Sequence, residues 1–223
     1  MNLMIKAIVC DFDGLIIDTE FALYEAFCEL LKIDPSELPI NEYAHYIGTD
    51  SNALYNFILK KTNEKMTKEE IIEKSHILHK EKLELPIPRD GVEEYLKEAK
   101  SRGLKIGLAS SSNREWVTYF LEKINLLDYF DVIQTRDDVE NVKPDPTLYK
   151  NVINLLGIEP SEAIAFEDSV NGSKASIASG LKCVIVPNKV TENLEFKTFH
   201  LRLNSMKEKE LFKVIEKIEA LNI

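Results

Sequence analysis

The chain has 223 residues, 44% of them hydrophobic, and carries 28 Lys plus Arg against 38 Asp plus Glu, a formal net charge of −10. A chain of this size buries roughly 70% of its unfolded surface, which excludes disordered and fibrous classes and leaves one large domain with at most a small insert. The longest stretch free of Asp, Glu, Lys and Arg is the nine residues Ser51 to Leu59, whereas a membrane-spanning helix needs about 20 apolar positions, and the acidic balance disfavours nucleic acid, which is gripped by clustered Lys and Arg.

Three cysteines, Cys10, Cys28 and Cys183, none in a CxxC, argue against a disulfide framework or zinc ribbon and fit a reducing compartment. A cytoplasmic protein with no membrane partner is therefore expected, and a monomer is favoured.

In chain order, the apolar run Ala7 to Cys10 reads as a buried strand that opens into the polar cluster Asp11-Phe12-Asp13-Gly14. From Ile16 to Glu84 helical patterns then follow one another with no convincing strand. Ser51 can cap the helix carrying Leu54, Phe57 and Ile58, and Thr67 with Glu70 forms a capping box ahead of Ile71, Ile72 and Leu78. Pro35, Gly48 and Met66 sit near the breaks. This section carries 8 Lys against 14 Asp plus Glu, net −6, and reads as an inserted helical subdomain able to act as a lid. Its exit, Leu85-Pro86-Ile87-Pro88, is restricted by two prolines into a stiff extended hinge.

Beyond the hinge, helical stretches Val92 to Ser101, Glu115 to Leu126, Pro146 to Leu156 and Val170 to Ser179 alternate with apolar runs. Those runs are Ile106 to Ala109, Val132 to Ile133, Ala163 to Phe166 and Cys183 to Val186. Strands alternating with helices imply βαβ units and a parallel sheet. Ser205 and Glu208 predict a capping box for a last helix carrying Leu211, Phe212, Ile215 and Ile218.

Chemistry concentrates where the predicted strands end. Asp11 and Asp13 emerge at the carboxyl edge of the first, where open α/β sheets bind ligands. Two acids so close repel unless a cation or a proton offsets one of them, and Gly14 lets the chain turn away. Glu167-Asp168 ends the Ala163 to Phe166 strand, and two such strand ends can build an oxygen-rich site for Mg²⁺; zinc is the weaker choice because no His or Cys sits nearby. Ser110-Ser111-Ser112-Asn113-Arg114 places hydroxyls and amides at a helix start, a ready anion site. Lys143 lies in Lys143-Pro144-Asp145-Pro146, where a pre-positioned ammonium could neutralise a phosphate oxygen or a carboxylate. Read singly, each of these clusters is also an ordinary turn or helix cap.

Taken together and in order, they resemble the haloacid dehalogenase superfamily of phosphotransferases. Asp11-Phe12-Asp13-Gly14-Leu15-Ile16-Ile17-Asp18-Thr19-Glu20 is similar to its first motif, Ser110 to the second, Lys143 to the third, and Glu167-Asp168-Ser169 with Gly172 and Gly180 to the fourth. The insert resembles the small cap of the branch holding β-phosphoglucomutase and sugar-phosphate phosphatases. The resemblance implies an α/β fold, a doubly wound Rossmann-like parallel sheet core made of 1–15 plus 86–223, and a helical cap domain of 16–85.

It also implies a mechanism: Asp11 as nucleophile forming an aspartyl-phosphate, and Asp13 as the acid and then base for leaving group and water. Mg²⁺ would be held by Asp11, the Asp13 carbonyl and Asp168, with Glu167 a direct or water-mediated partner. Ser110, Ser111 and Lys143 would hold the phosphoryl group. The expected reaction is hydrolysis of a small phosphomonoester, a sugar or polyol phosphate. The alternative is a β-phosphoglucomutase-type mutase, and a remote one is a phospho-receiver signalling module. Mutases of this branch resemble one another in a His and a cap Arg whose places look to be held here by Leu23 and by Ser51 within Gly48-Thr49-Asp50-Ser51. Asp13 disfavours a dehalogenase or a phosphonate hydrolase, and an acceptor as early as Asp11 disfavours a receiver.

Among the remaining residues, His76 and His79 are expected on a solvated helix face, and Trp116 with Phe120 as core-facing residues of one helix. His45 and Tyr46, before Gly48, are placed to face substrate if the insert closes as a lid, but packing within the cap is the favoured role. Cys10 is expected as a small apolar filler, and Glu20 as a cleft-lining or first-turn helix residue.

Overall fold

The computed structural model describes residues 5–47, 51–62 and 65–221. Six parallel strands form one sheet in the order β3-β2-β1-β4-β5-β6. They are β1 (Ala7–Cys10), β2 (Lys105–Ala109), β3 (Val132–Gln134), β4 (Ala163–Glu167), β5 (Lys182–Ile185) and β6 (Leu201–Arg202). The chain moves outward from β1 through β2 to β3, then crosses to β4 on the other side of β1. That reversal makes the carboxyl ends of β1 and β4 the switch point of the sheet, where a crevice opens.

Alternation along β1 divides the interior into two layers. Ile8 and Cys10 join one apolar cluster with Ile106, Leu108 and Phe166 against α5 (Val92–Ser101), α6 (Arg114–Lys123) and α9 (Leu211–Ala220). Ala7 and Val9 face the opposite way, with Ala109, Ala163 and Ala165, against α7 (Thr147–Leu156) and α8 (Val170–Ala178). The result is the parallel α/β sheet expected from the alternating pattern, doubly wound as the resemblance implies.

Between β1 and α5 the described residues form four α-helices: α1 (Thr19–Leu31), α2 (Ile40–Ala44), α3 (Ser51–Lys61) and α4 (Lys68–Lys82). Their apolar faces form a separate cluster around Tyr24, Phe27, Tyr43, Tyr55, Ile58 and Ile71, which Val190 and Leu194 of the loop after β5 also join. Ile16 and Ile17 pack instead in the sheet cluster. The Thr67–Glu70 capping box forms as the sequence predicts. The Gly48-Thr49-Asp50 stretch and the Ser51 side chain, with the cap assigned to it, lie outside the described residues. Where the chain leaves and re-enters the sheet body, Arg89 ties the strands of the hinge together. Its amide donates to the Ile16 carbonyl at 2.8 Å, and its guanidinium donates to the carbonyls of Gly14, Val186 and Pro187. Leu85 and Ile87 beside it are exposed.

Two local expectations are corrected. The Ser205 hydroxyl accepts from the Lys207 amide and Glu208 accepts from the Asn204 amide, so they cap a single 3-10 turn, Met206–Glu208. Helix α9 starts at Leu211, and its first free amides, Leu211 and Phe212, donate to the Glu98 carboxylate of α5. Helix α6 stops at Lys123 rather than Leu126, because Asn125 adopts a left-handed conformation with φ 57° and the Leu126 amide turns back to the Leu121 carbonyl. The two-residue β6 carries no periodic signal. Among the described residues no helix is long and apolar enough to cross a membrane.

Candidate active site

Parallel pairing delivers the acids to one place. Cys10 is in register with both Leu108 and Phe166, so the residues that follow β1, β2 and β4 all emerge at one sheet edge. There Asp11, Glu167 and Asp168 approach closely enough to share one cation, and all three are buried. Lys143, from the loop before α7, enters this cluster with only 4% of its surface exposed. Its ammonium donates to Asp11 Oδ1 and, at 2.7 Å, to Glu167 Oε1. Glu167 Oε1 also accepts from the Tyr149 hydroxyl at 2.5 Å, and Oε2 accepts from the Ser169 hydroxyl at 3.2 Å. Both Glu167 oxygens thus have protein partners, which places Glu167 under Lys143 as its counter-ion.

Burial pushes the Asp11 carboxyl well above the usual carboxylate range, Lys143 works against that rise, and Glu167 and Asp168 add to it. Burial opposes charge on Lys143 too, but Asp11 and Glu167 outweigh it and hold the ammonium above its ordinary value. Cys10 lies in the strand core, and its thiol is pushed up to about 12 by burial and by Asp11, which fits an inert filler.

Asp13 points away from this cluster. Its Oδ1 accepts from the Thr19 hydroxyl at 2.8 Å and from the Trp116 indole Nε1–H at 2.9 Å, while Oδ2 accepts from the Ser112 hydroxyl at 2.6 Å. Trp116 is therefore not simply a core residue of α6: one edge packs on Phe120 and the other meets Asp13. Helical spacing shows that a face is buried without showing what it meets. Ser110 is fully buried and its hydroxyl accepts from the Ser112 amide at 3.0 Å, whereas the buried Ser111 hydroxyl has no hydrogen-bond partner.

Asp168, the acid that follows β4, is bridged to the helical insert. Asp168 Oδ2 accepts from Asn188 Nδ2 at 2.8 Å, and the same amide donates to Glu20 Oε2 at 2.8 Å and to the Gly14 carbonyl. Burial raises both carboxyls, Glu20 to about 8 and Asp168 well above its usual range. Gly14 sits here with φ 77°, and a Cβ on it would overlap Asp168, Asn188 and Glu20. Asp168 Oδ1 is buried with no hydrogen-bond partner. An orphaned carboxylate oxygen beside two further buried acids fits a hard divalent cation, because unpaired buried acceptors of this kind are costly.

Above these residues lies a cavity of about 720 Å³, with Asp11, Asp13, Lys143 and Asp168 at its floor and Leu23, Tyr46, Tyr55 and His76 among its walls. Two expectations change here. His79 is buried, its Nε2 lies 2.8 Å from the Thr19 carbonyl, and burial lowers it to about 4, so it is neutral and donates. His76 meets the Tyr55 hydroxyl at 3.0 Å. Tyr46 reaches the cavity, stacked on Phe57, while His45 is exposed and turned to the Asn41 carbonyl. Sequence reasoning missed Thr19, Ser112, Tyr149 and Asn188. The first two lie inside the motifs and could have been found there; Tyr149 and Asn188 carry no local signal.

The family model described as "Haloacid dehalogenase-like hydrolase" matches residues 8–186. A protein of Bacillus subtilis (strain 168), named "Putative phosphatase YhcW", is 46% identical over 220 residues, covering 98% of this chain and 100% of its own. The "Phosphorylated carbohydrates phosphatase" of Thermotoga maritima is 28% identical over 178 residues, 79% of this chain and 82% of that protein. The crystal structure of beta-phosphoglucomutase from Clostridium difficile superposes with a TM-score of 0.75 at 25% identity, covering 98% of this chain and 99% of that one. The chain belongs to the haloacid dehalogenase-like hydrolases.

Proposed function

We propose that this haloacid dehalogenase-like hydrolase is a Mg²⁺-dependent phosphatase of a small sugar or polyol phosphate, working through an aspartyl-phosphate on Asp11. The observation that carries the reading is the pairing of Asp11 with Lys143 on the floor of a cavity that also receives Asp13. Asp11 attacks phosphorus while Asp13 gives a proton to the departing oxygen; Asp13 then takes a proton from the water that attacks the aspartyl-phosphate. Lys143 works against the protonation of Asp11 and meets phosphoryl charge. The Ser111 hydroxyl, which lacks a partner, and the amides at the start of α6 are donors for phosphoryl oxygens. Asp11, the Asp13 carbonyl and Asp168 would hold Mg²⁺, with Glu167 a direct or water-mediated partner, and the bound ion would supply positive charge against the phosphate and the clustered acids.

Helices 16–85 act as the cap that roofs the leaving group. Tyr46, Tyr55 and His76 on this side of the cavity suit a hydroxylated group, offering both ring faces and hydrogen bonds. The name of the Thermotoga relative points the same way. Leu23 also lines the cavity; an apolar side chain there cannot time acid–base chemistry, which favours hydrolysis over the mutase reading suggested by the phosphoglucomutase likeness. The three cysteines are free and buried, in keeping with a cytoplasmic enzyme.

The test is phosphate release from a panel of sugar, polyol and nucleotide monophosphates, with Mg²⁺ or EDTA, using wild type and Asp11→Asn. The expected result is metal-dependent release that is abolished in Asp11→Asn with the fold retained. Substantial residual turnover in Asp11→Asn removes Asp11 as nucleophile, and full activity in EDTA removes the metal.

A further inference from the structure

We infer that Trp116 is a positioning residue that decides which oxygen of Asp13 carries the transferable proton, and that helix α4 of the insert reaches the acid through it. The inference rests on the reading of Asp13 as general acid. An indole N–H can only donate a hydrogen bond, whereas a hydroxyl can donate or accept. Trp116 Nε1 donates to Oδ1 at 2.9 Å and the Thr19 hydroxyl donates to the same oxygen at 2.8 Å, so both of its in-plane acceptor positions are taken and the proton is directed elsewhere. The only oxygen left for the proton is Oδ2, whose neighbour at 2.6 Å is the Ser112 hydroxyl, free to rotate from donor to acceptor.

The indole is itself fixed from three sides. Its backbone amide donates to the Asn113 side chain at 2.8 Å, at the start of α6. Its ring packs on Phe120 with centroids 4.6 Å apart and on His79 of α4 at 5.0 Å. His79 is in turn pinned to the Thr19 carbonyl at 2.8 Å. Helix α4, indole and acid thus form one chain of contacts. In the first half-reaction the Oδ2–H bond breaks as an O–H bond forms on the leaving oxygen. At the same time the ester O–P bond breaks and the bond from Asp11 to phosphorus forms. In the second, a water proton returns to Oδ2 while water oxygen bonds phosphorus and the Asp11–phosphorus bond breaks.

The test uses leaving groups of different need. An alkyl ester such as glycerol phosphate requires protonation of its departing oxygen, and p-nitrophenyl phosphate does not, so the ratio of their kcat/KM values reads the acid alone. Asp13→Asn should lower that ratio about 100-fold. Trp116→Phe keeps the ring packing and removes the N–H, and should lower it about tenfold, the worth of a hydrogen bond to a charged group. A ratio unchanged in Trp116→Phe but collapsed in Asp13→Asn overturns the role of Trp116. A ratio unchanged in both removes Asp13 as the acid and the inference with it.

A second measurement needs no change to the tryptophan. Trp116 is the single tryptophan of the chain, so ¹⁵N-labelled protein shows one indole N–H resonance. Asp13→Ala should move that resonance upfield as the carboxylate acceptor is lost; an unmoved resonance overturns the contact.

Discussion

Replacing Glu20 by Gln isolates the proton shared between the helical insert and the sheet. Glu20 is 9% exposed, and its carboxyl hydrogen-bonds to Asn188 and to Asp168. Burial, opposed by those hydrogen bonds and aided by the charges on Asp11 and Asp13, raises it from 4.5 to about 8. A raised value means that the folded chain binds the proton more tightly than the unfolded chain. The stabilisation is therefore complete below 4.5 and is lost as the pH climbs to about 8. Each tenfold in proton affinity is about 1.4 kcal/mol, which sets a ceiling of about 5 kcal/mol for the whole span. Asp168 shares the proton, so about half of that, ~2 kcal/mol, falls to Glu20.

Gln still accepts from Asn188 and has no proton to lose. In EDTA, Glu20→Gln should match wild type near pH 4.5 and be more stable near pH 8.5, melting roughly 4–8 °C higher for a chain of this size. Thermal unfolding followed by circular dichroism across that range is the assay. Saturating Mg²⁺ should shrink the gap, because a cation beside Asp168 does the work of the proton. Parallel melting of the two proteins at every pH, or a Glu20→Gln deficit that widens as pH rises, refutes the shared proton.

Gly172→Ala would drive a Cβ into the Glu167 carboxylate, which Lys143 and Tyr149 hold in place. It should cost about 3 kcal/mol of stability through overpacking, read as a lower urea midpoint, and a neutral effect would show that Glu167 has room to move. Tyr149→Phe removes the 2.5 Å donor to Glu167. It should cost about 1.5–3 kcal/mol in chemical denaturation, with phosphate release falling as Lys143 loses its alignment. Glu98→Ala leaves the Leu211 and Phe212 amides of α9 uncapped. It should lower stability by about 1–2 kcal/mol while metal-dependent phosphate release persists; an unchanged melting temperature would show that water caps the helix equally well.

The strands were legible because a parallel sheet buries both faces, so β1, β2, β4 and β5 stand out as short apolar runs between charged segments. Helices with a strong cap or a clean stripe were legible too, as in Val92–Ser101 and the Thr67 start of α4. What failed to show was contact between distant segments. The periodicity around Trp116 and His79 announces buried faces, yet only the folded chain brings α4 onto α6 and turns the indole toward Asp13. Asn188 lies 174 residues from Gly14 and 20 from Asp168, and nothing in its own neighbourhood marks it as the bridge. Glu98 capping α9 is the same lesson for stability: the local Ser205–Glu208 signature was real, but it closed a different turn.

Charge at the floor of the cavity gives a reason for the proposed metal that does not depend on likeness to other proteins. Three buried carboxylates, Asp11, Glu167 and Asp168, face a single ammonium, Lys143. With every acid ionised the cluster carries two uncompensated negative charges in a place where water cannot screen them. Protons can relieve that excess, which is the sense in which Asp11 and Asp168 are pushed up, but a protonated Asp11 is a poor nucleophile. One divalent cation relieves the same excess and leaves Asp11 ionised. Raised carboxyls and the orphaned Asp168 oxygen are thus two signs of one deficit. On the proposed reading, the same balance lets a chain of net charge −10 take a phosphate ester: the positive charge it needs is local, and its size is set by the acids it must first offset.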